Sequence, residues 1–133
     1  MTIPPIVCLC GSTRFIDLFD EAALQLTLRG CIVLSIGSHK PRSRQYADNV
    51  GGHKAGLDRL HKRKIDLADA VLVLDVEGYV GDSTRSEIAH AETTGTPVAS
   101  WSEFEAACDG EADAWGASAL WAKAQARRPR EIA

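Results

Sequence analysis

The run Ile3-Pro4-Pro5-Ile6-Val7-Cys8-Leu9-Cys10, closed by Gly11-Ser12-Thr13-Arg14, decides the fold. Its apolar residues are consecutive rather than alternating, so neither face of the strand they form meets water. A strand buried on both faces belongs inside a sheet covered by helices. Beyond the turn, Phe15, Leu18, Phe19, Ala22, Ala23 and Leu26 recur at helical spacing. They predict a helix over Phe15–Arg29 that Gly30 closes. Cys8 and Cys10 share one face of the strand. They read as buried reduced thiols, because free cysteine packs as a small hydrophobe.

The strand–turn–helix unit repeats outward. Cys31–Ile36 is a second β-branched run, stopped by Gly37. Ser38–Gly56 is polar, carries Pro41 and Gly51-Gly52, and reads as a long mobile loop. Leu57, Leu60, His61, Lys64, Ile65 and Ala68 mark one stripe of a second helix. Ala70–Asp75 is a third strand, Glu77–Ser83 a glycine-rich turn, Thr84–Thr93 a third helix, and Pro97–Ser100 a fourth strand. Ser102–Arg127 is alanine-rich and predicts helix, broken near Asp109-Gly110, before a frayed tail. This alternation predicts a doubly wound, flavodoxin/Rossmann-like α/β fold: a parallel sheet of four to five strands, order 2-1-3-4, with helices on both faces. Residues 1–133 read as one domain with a C-terminal helical segment at 102–127. Ligands of such folds bind beyond the carboxyl ends of the strands, where the strand order reverses. The turns meeting there are Gly11–Arg14 and Gly78–Ser83.

Composition narrows the classes of function. The 133 residues are 45% hydrophobic and 25% charged, ordinary for one soluble domain that folds without disulfide or metal staples. A net charge of −3 argues against a general nucleic-acid binder. The apolar runs are strand-sized, so no membrane span is expected. Met1-Thr2-Ile3-Pro4-Pro5 lacks the basic and apolar regions of a secretory signal, and the expectation is a cytoplasmic protein. Among Cys8, Cys10, Cys31 and Cys108 there is no C-x-x-C.

Several residues carry candidate chemistry. Gly11-Ser12-Thr13-Arg14 is either an anion cradle at a helix start, with Arg14 as a fork donor, or a plain turn capped by Ser12 or Thr13. Glu87 either faces the crevice or closes a Thr84-Arg85-Ser86-Glu87 capping box. Glu87-Ile88-Ala89-His90 matches a Glu-x-x-His metal motif, but that motif needs a second copy and a four-helix core. No metal and no cofactor are expected. Asp69 and Asp75 bracket the third strand as turn residues or, for Asp75, as a ligand contact. His61 reads as a packing histidine. His39–Lys64 holds eight Lys or Arg against Asp48 and Asp58, a local +6 that favours a small anionic ligand.

Three stretches together resemble the nucleoside 2-deoxyribosyltransferase superfamily, including its nucleoside 5′-monophosphate N-glycosidase branch. Cys10-Gly11-Ser12-Thr13-Arg14-Phe15 is similar to the G-S-x-R opening of the monophosphate hydrolases. Ala68-Asp69-Ala70-Val71-Leu72-Val73-Leu74 is similar to the family's A-D-x-V-V strand. Gly81–Ala91, followed by Gly95-Thr96-Pro97-Val98, is similar to its G-x-x-x-E-x-x-x-A…G-K-P-V segment. The likeness spans about Ile6 to Val98.

The resemblance implies hydrolysis of a nucleoside 5′-monophosphate through a covalent glycosyl-Glu87 intermediate, with sugar transfer between bases as the alternative. A non-catalytic nucleotide-binding module is the remaining alternative, with Glu87 serving only the cap. It also implies that Ser12 and Arg14, with Gly11 and Thr13, hold the phosphate. Gly81, Asp82 and Ser83 would line the sugar pocket, with Asp75 and Tyr79 against the ligand. The family aspartate of the second helix falls at His61, a departure, and Asp58 lies one turn earlier. The implied partner is a small nucleotide or nucleoside, bound in a homodimer or larger homo-oligomer. Trp101, Trp115 and Trp121 are candidates for the contact between copies.

Overall fold

A computed structural model describes residues 4–36 and 53–108. Four strands, β1 (Ile6–Gly11), β2 (Ile32–Leu34), β3 (Ala70–Leu74) and β4 (Val98–Ser100), form one sheet in the order β2-β1-β3-β4. Every pairing is parallel, as the buried runs require. The helices are α1 (Ile16–Leu28), α2 (Lys54–Leu67), α3 (Asp82–Thr93) and α4 (Trp101–Cys108). The expected doubly wound fold and strand order are therefore those observed. No helix among the described residues is long and apolar enough to cross a membrane.

The sheet divides the core in two. On one side Leu9, Phe19, Leu26, Leu72, Leu74, Trp101 and Phe104 pack with α1 and α4. On the other, Cys8, Cys10, Val71 and Val73 pack with Ile65 of α2 and Ala91 of α3. Burying each large side chain contributes about 1.5–3 kcal/mol, so β3, buried at all five positions, anchors both halves. Asp69 is structural: its Oδ2 accepts the Ile6 N–H at 2.8 Å and fixes the start of β1 beside β3.

The element ends differ from the periodicity reading. β2 is limited to Ile32–Leu34, and α2 begins at Lys54, inside the stretch read as loop. The α3 helix begins at Asp82, not Thr84, because Gly81 is extended and its carbonyl accepts the Arg85 N–H at 2.9 Å. Thr84 thus lies inside the helix and Glu87 in its second turn. The capping box is overturned, because a box needs its threonine at the extended cap position. Trp101, offered above as a contact between copies, is only 8% exposed and stacks on Phe104 at 5.2 Å. The remaining loop to Gly52, Trp115, Trp121 and the helix read to Arg127 lie outside the described residues.

Candidate active site

The two turns at the switch point meet. Ser12 Oγ accepts the Arg14 N–H at 3.3 Å and caps a single 3-10 turn at Thr13–Phe15. The α1 helix starts only at Ile16, without a side-chain cap, so the Ser12 turn is set off from the helix terminus proper. Across the mouth, Glu77 (φ 51°) and Gly78 (φ 77°) form a tight left-handed turn closed by Tyr79 N–H to Val76 O at 2.9 Å. That turn throws the Tyr79 ring over Arg14, 4.3 Å from the guanidinium carbon, and edge-on to Phe15 at 5.8 Å. Such a cation–π contact positions Arg14 while leaving its N–H fork free to bind.

Behind this mouth, on the α2/α3 side of the sheet, four titratable groups converge. The alternation of β1 points Cys8 and Cys10 to one face. Packed on that face, α2 delivers His61, whose Nε2 lies 3.6 Å from Cys8 Sγ and 3.4 Å from Cys10 Sγ. Glu87 projects from the buried stripe of α3 and brings Oε2 to 4.0 Å from the same Nε2. The His61 and Glu87 side chains are 7% and 12% exposed. Asp66 of α2 and His90 of α3, 2.7 Å apart, tie the two helices together beside them.

Burial and mutual charge set the protons. Burial pushes the Glu87 carboxyl up, and the neighbouring His61 opposes it without cancelling it. Burial pulls His61 down, but the hydrogen bond and charge of Cys8 and the charge of Glu87 outweigh it, so His61 is raised. The hydrogen bond from Cys10 brings Cys8 down to about 6, with His61 helping. Cys10 is correspondingly raised by Cys8 and by burial. The cluster therefore draws protons toward the imidazole and away from the Cys8 thiol, with the nearest Glu87 oxygen 4.0 Å from Nε2.

The structure brings Glu87 and His61 together. Asp58 is half-buried one turn from His61, and Lys54 links it, at 2.9 Å, to Ser83 Oγ, at 3.1 Å. Gly81 caps α3 beneath Tyr79, where an added Cβ would lie 3.7 Å from the phenol oxygen. Asp82 is exposed on the first turn of α3 and pairs with Arg85 at 3.4 Å. Thr13 is exposed beside Arg14. Asp75 leaves the end of β3, and its buried Oδ1 has no hydrogen-bond partner. It lines an open cleft of about 500 Å³ with Arg14, Phe15, Glu77, Trp101 and Glu105. That cleft lies on the α1/α4 side, whereas Glu87 lies on the α2/α3 side.

Reading motifs by spacing missed the cysteine pair as chemistry. Cys8, Cys10 and His61 bring three donor atoms within 4.8 Å of one another, a grouping that spacing along the chain did not suggest. C-x-C on one strand face was visible, but its third member lies 51 residues away in sequence. The Glu87/His90 pair is no ligand set, because His90 turns to Asp66.

No protein-family model and no curated protein matches the chain. A solved structure does: a 2-deoxyribosyltransferase from the psychrotolerant bacterium Bacillus psychrosaccharolyticus. The chain shares its fold with that enzyme. The match covers 71% of this chain and 70% of the other, at a TM-score of 0.54 and 16% identity. At that identity the likeness is one of architecture.

Proposed function

We propose that the protein breaks the N-glycosidic bond of a nucleoside through Glu87 and passes the sugar to a second base. The Glu87 carboxylate attacks the anomeric carbon; the bond from that carbon to the base breaks, and the departing base takes up a proton. The acceptor base then attacks the same carbon, gives up its own proton, and releases the carboxylate. The observation that carries this reading is a buried carboxylate 4.0 Å from the His61 imidazole, in a fold that is that of a 2-deoxyribosyltransferase. His61 is the group assigned to supply the leaving base with its proton. A neighbouring copy closing the site in a homodimer or larger assembly belongs to the same reading.

The exposed Arg14 fork supports a second reading, in which a 5′-phosphate docks at Ser12 and Arg14 and water is the acceptor. One experiment separates them. The protein is incubated with nucleosides, 2′-deoxynucleosides and their 5′-monophosphates, each with and without a different free base, and products are resolved by chromatography. Transfer yields a new nucleoside only when the second base is present. Hydrolysis yields free sugar or sugar phosphate regardless. No bond cleavage anywhere in the panel rejects both.

A further inference from the structure

The geometry points to a binding site for a soft divalent cation of the zinc type, formed by Cys8 Sγ, Cys10 Sγ and His61 Nε2. Two thiols on one strand face and one imidazole from the helix packed on it lie within 4.8 Å of one another. Zinc binds sulfur at about 2.3 Å and imidazole nitrogen at about 2.0–2.1 Å, so at a tetrahedral angle the two donor atoms stand roughly 3.5 Å apart. The observed separations from Nε2, 3.4 and 3.6 Å, bracket that value. Nε2 offers one proton or one lone pair and faces two sulfurs. A cation satisfies all three donors at once. Sulfur and imidazole together select zinc-like ions over magnesium or calcium.

The three donors are buried, Cys8 and Cys10 completely and His61 to 6% exposure, which suits a dry coordination site. The nearest oxygen of Glu87 lies 4.0 Å from Nε2, outside this donor set. Coordination replaces any S–H proton with a metal–sulfur bond. The protons leave to solvent and no atom changes oxidation state. A cation bound at Nε2 takes the position of the proton that glycosyl transfer assigns to His61, so the metal-loaded and the transferring protein are distinct states, and the test reads metal rather than turnover.

The full chain, reduced and stripped with a chelator, is titrated with Co²⁺ under anaerobic conditions. The expected result is saturation at one equivalent, a thiolate-to-cobalt charge-transfer band in the near ultraviolet, tetrahedral bands in the visible, and bleaching by Zn²⁺. Loss of an outer-shell partner already weakens metal sites by roughly 10–100-fold, so Cys8→Ser and Cys10→Ser should each weaken binding by about 100-fold or more. Cys31→Ser, in the opposite core, should bind unchanged. X-ray absorption at the zinc edge of the wild type loaded with one equivalent needs no variant to fold. It should show two sulfurs at about 2.3 Å and a nitrogen at about 2.0–2.1 Å. A missing charge-transfer band, a shell of nitrogen and oxygen only, or full affinity in well-folded Cys8→Ser and Cys10→Ser proteins overturns the assignment.

Discussion

Replacing Glu87 with glutamine should separate stability from activity. Glu87 closes no cap, and its neighbours are His61 at 4.0 Å and the Cys10 thiol, so an amide of the same shape fits without a cavity. The carboxyl is raised above its ordinary value near 4.5, chiefly by burial. Between that value and the raised one, the folded state holds more protons than the unfolded state. Glu87 therefore makes the protein less stable as pH rises through this window, and that cost persists above it. Glu87→Gln removes the term, so at neutral pH the variant should melt no lower than the wild type, and its Tm should lose part of the decline between acid and neutral pH. Turnover should behave oppositely. A nucleophile has no substitute in the covalent step, and an effect of about 4 kcal/mol or more is expected, roughly a thousandfold in kcat/KM. Thermal melts from pH 4 to 8 and base release by chromatography read the two quantities on one preparation. Near-wild-type turnover refutes the nucleophile. A loss of about 2 kcal/mol or more in stability with no change in pH slope refutes the electrostatic account.

Arg14→Ala removes a charge-assisted contact of about 1.5–3 kcal/mol, so any preference for monophosphates over nucleosides should fall roughly tenfold to hundredfold while nucleoside turnover falls far less. Equal losses on both substrates reject a phosphate role. Gly11→Ala places a Cβ 3.1 Å from both the Cβ and the backbone oxygen of Leu74, across the β1–β3 pairing. Backbone cannot yield cheaply there, so chemical denaturation should show a loss of about 1–3 kcal/mol. Glu77→Asn keeps the left-handed turn with a residue that tolerates φ 51°, and calorimetry should register a gain of about 0.5–1 kcal/mol. An unchanged or lower Tm refutes strain at Glu77.

The local pattern of the chain determined its architecture. Val7–Cys10 and Ala70–Leu74 are apolar on both faces, which forces a covered parallel sheet, and right-handed crossovers leave few strand orders. The same reasoning placed Gly11–Arg14 and Gly78–Ser83 at one end of that sheet, where Tyr79 indeed meets Arg14. Helix starts were less legible. Thr84-x-x-Glu87 has the letters of a capping box, yet the extended backbone of Gly81 decides where the helix begins. The alternation of β1 paired Cys8 with Cys10, and the family resemblance paired His61 with Glu87, but joining the two pairs belongs to the tertiary structure alone. Their spacing along the chain carries no signal, because β1, α2 and α3 bring them together only when both helices pack on one face of the sheet. Burial there then sets their protons, and burial is a property of the assembled fold rather than of any segment.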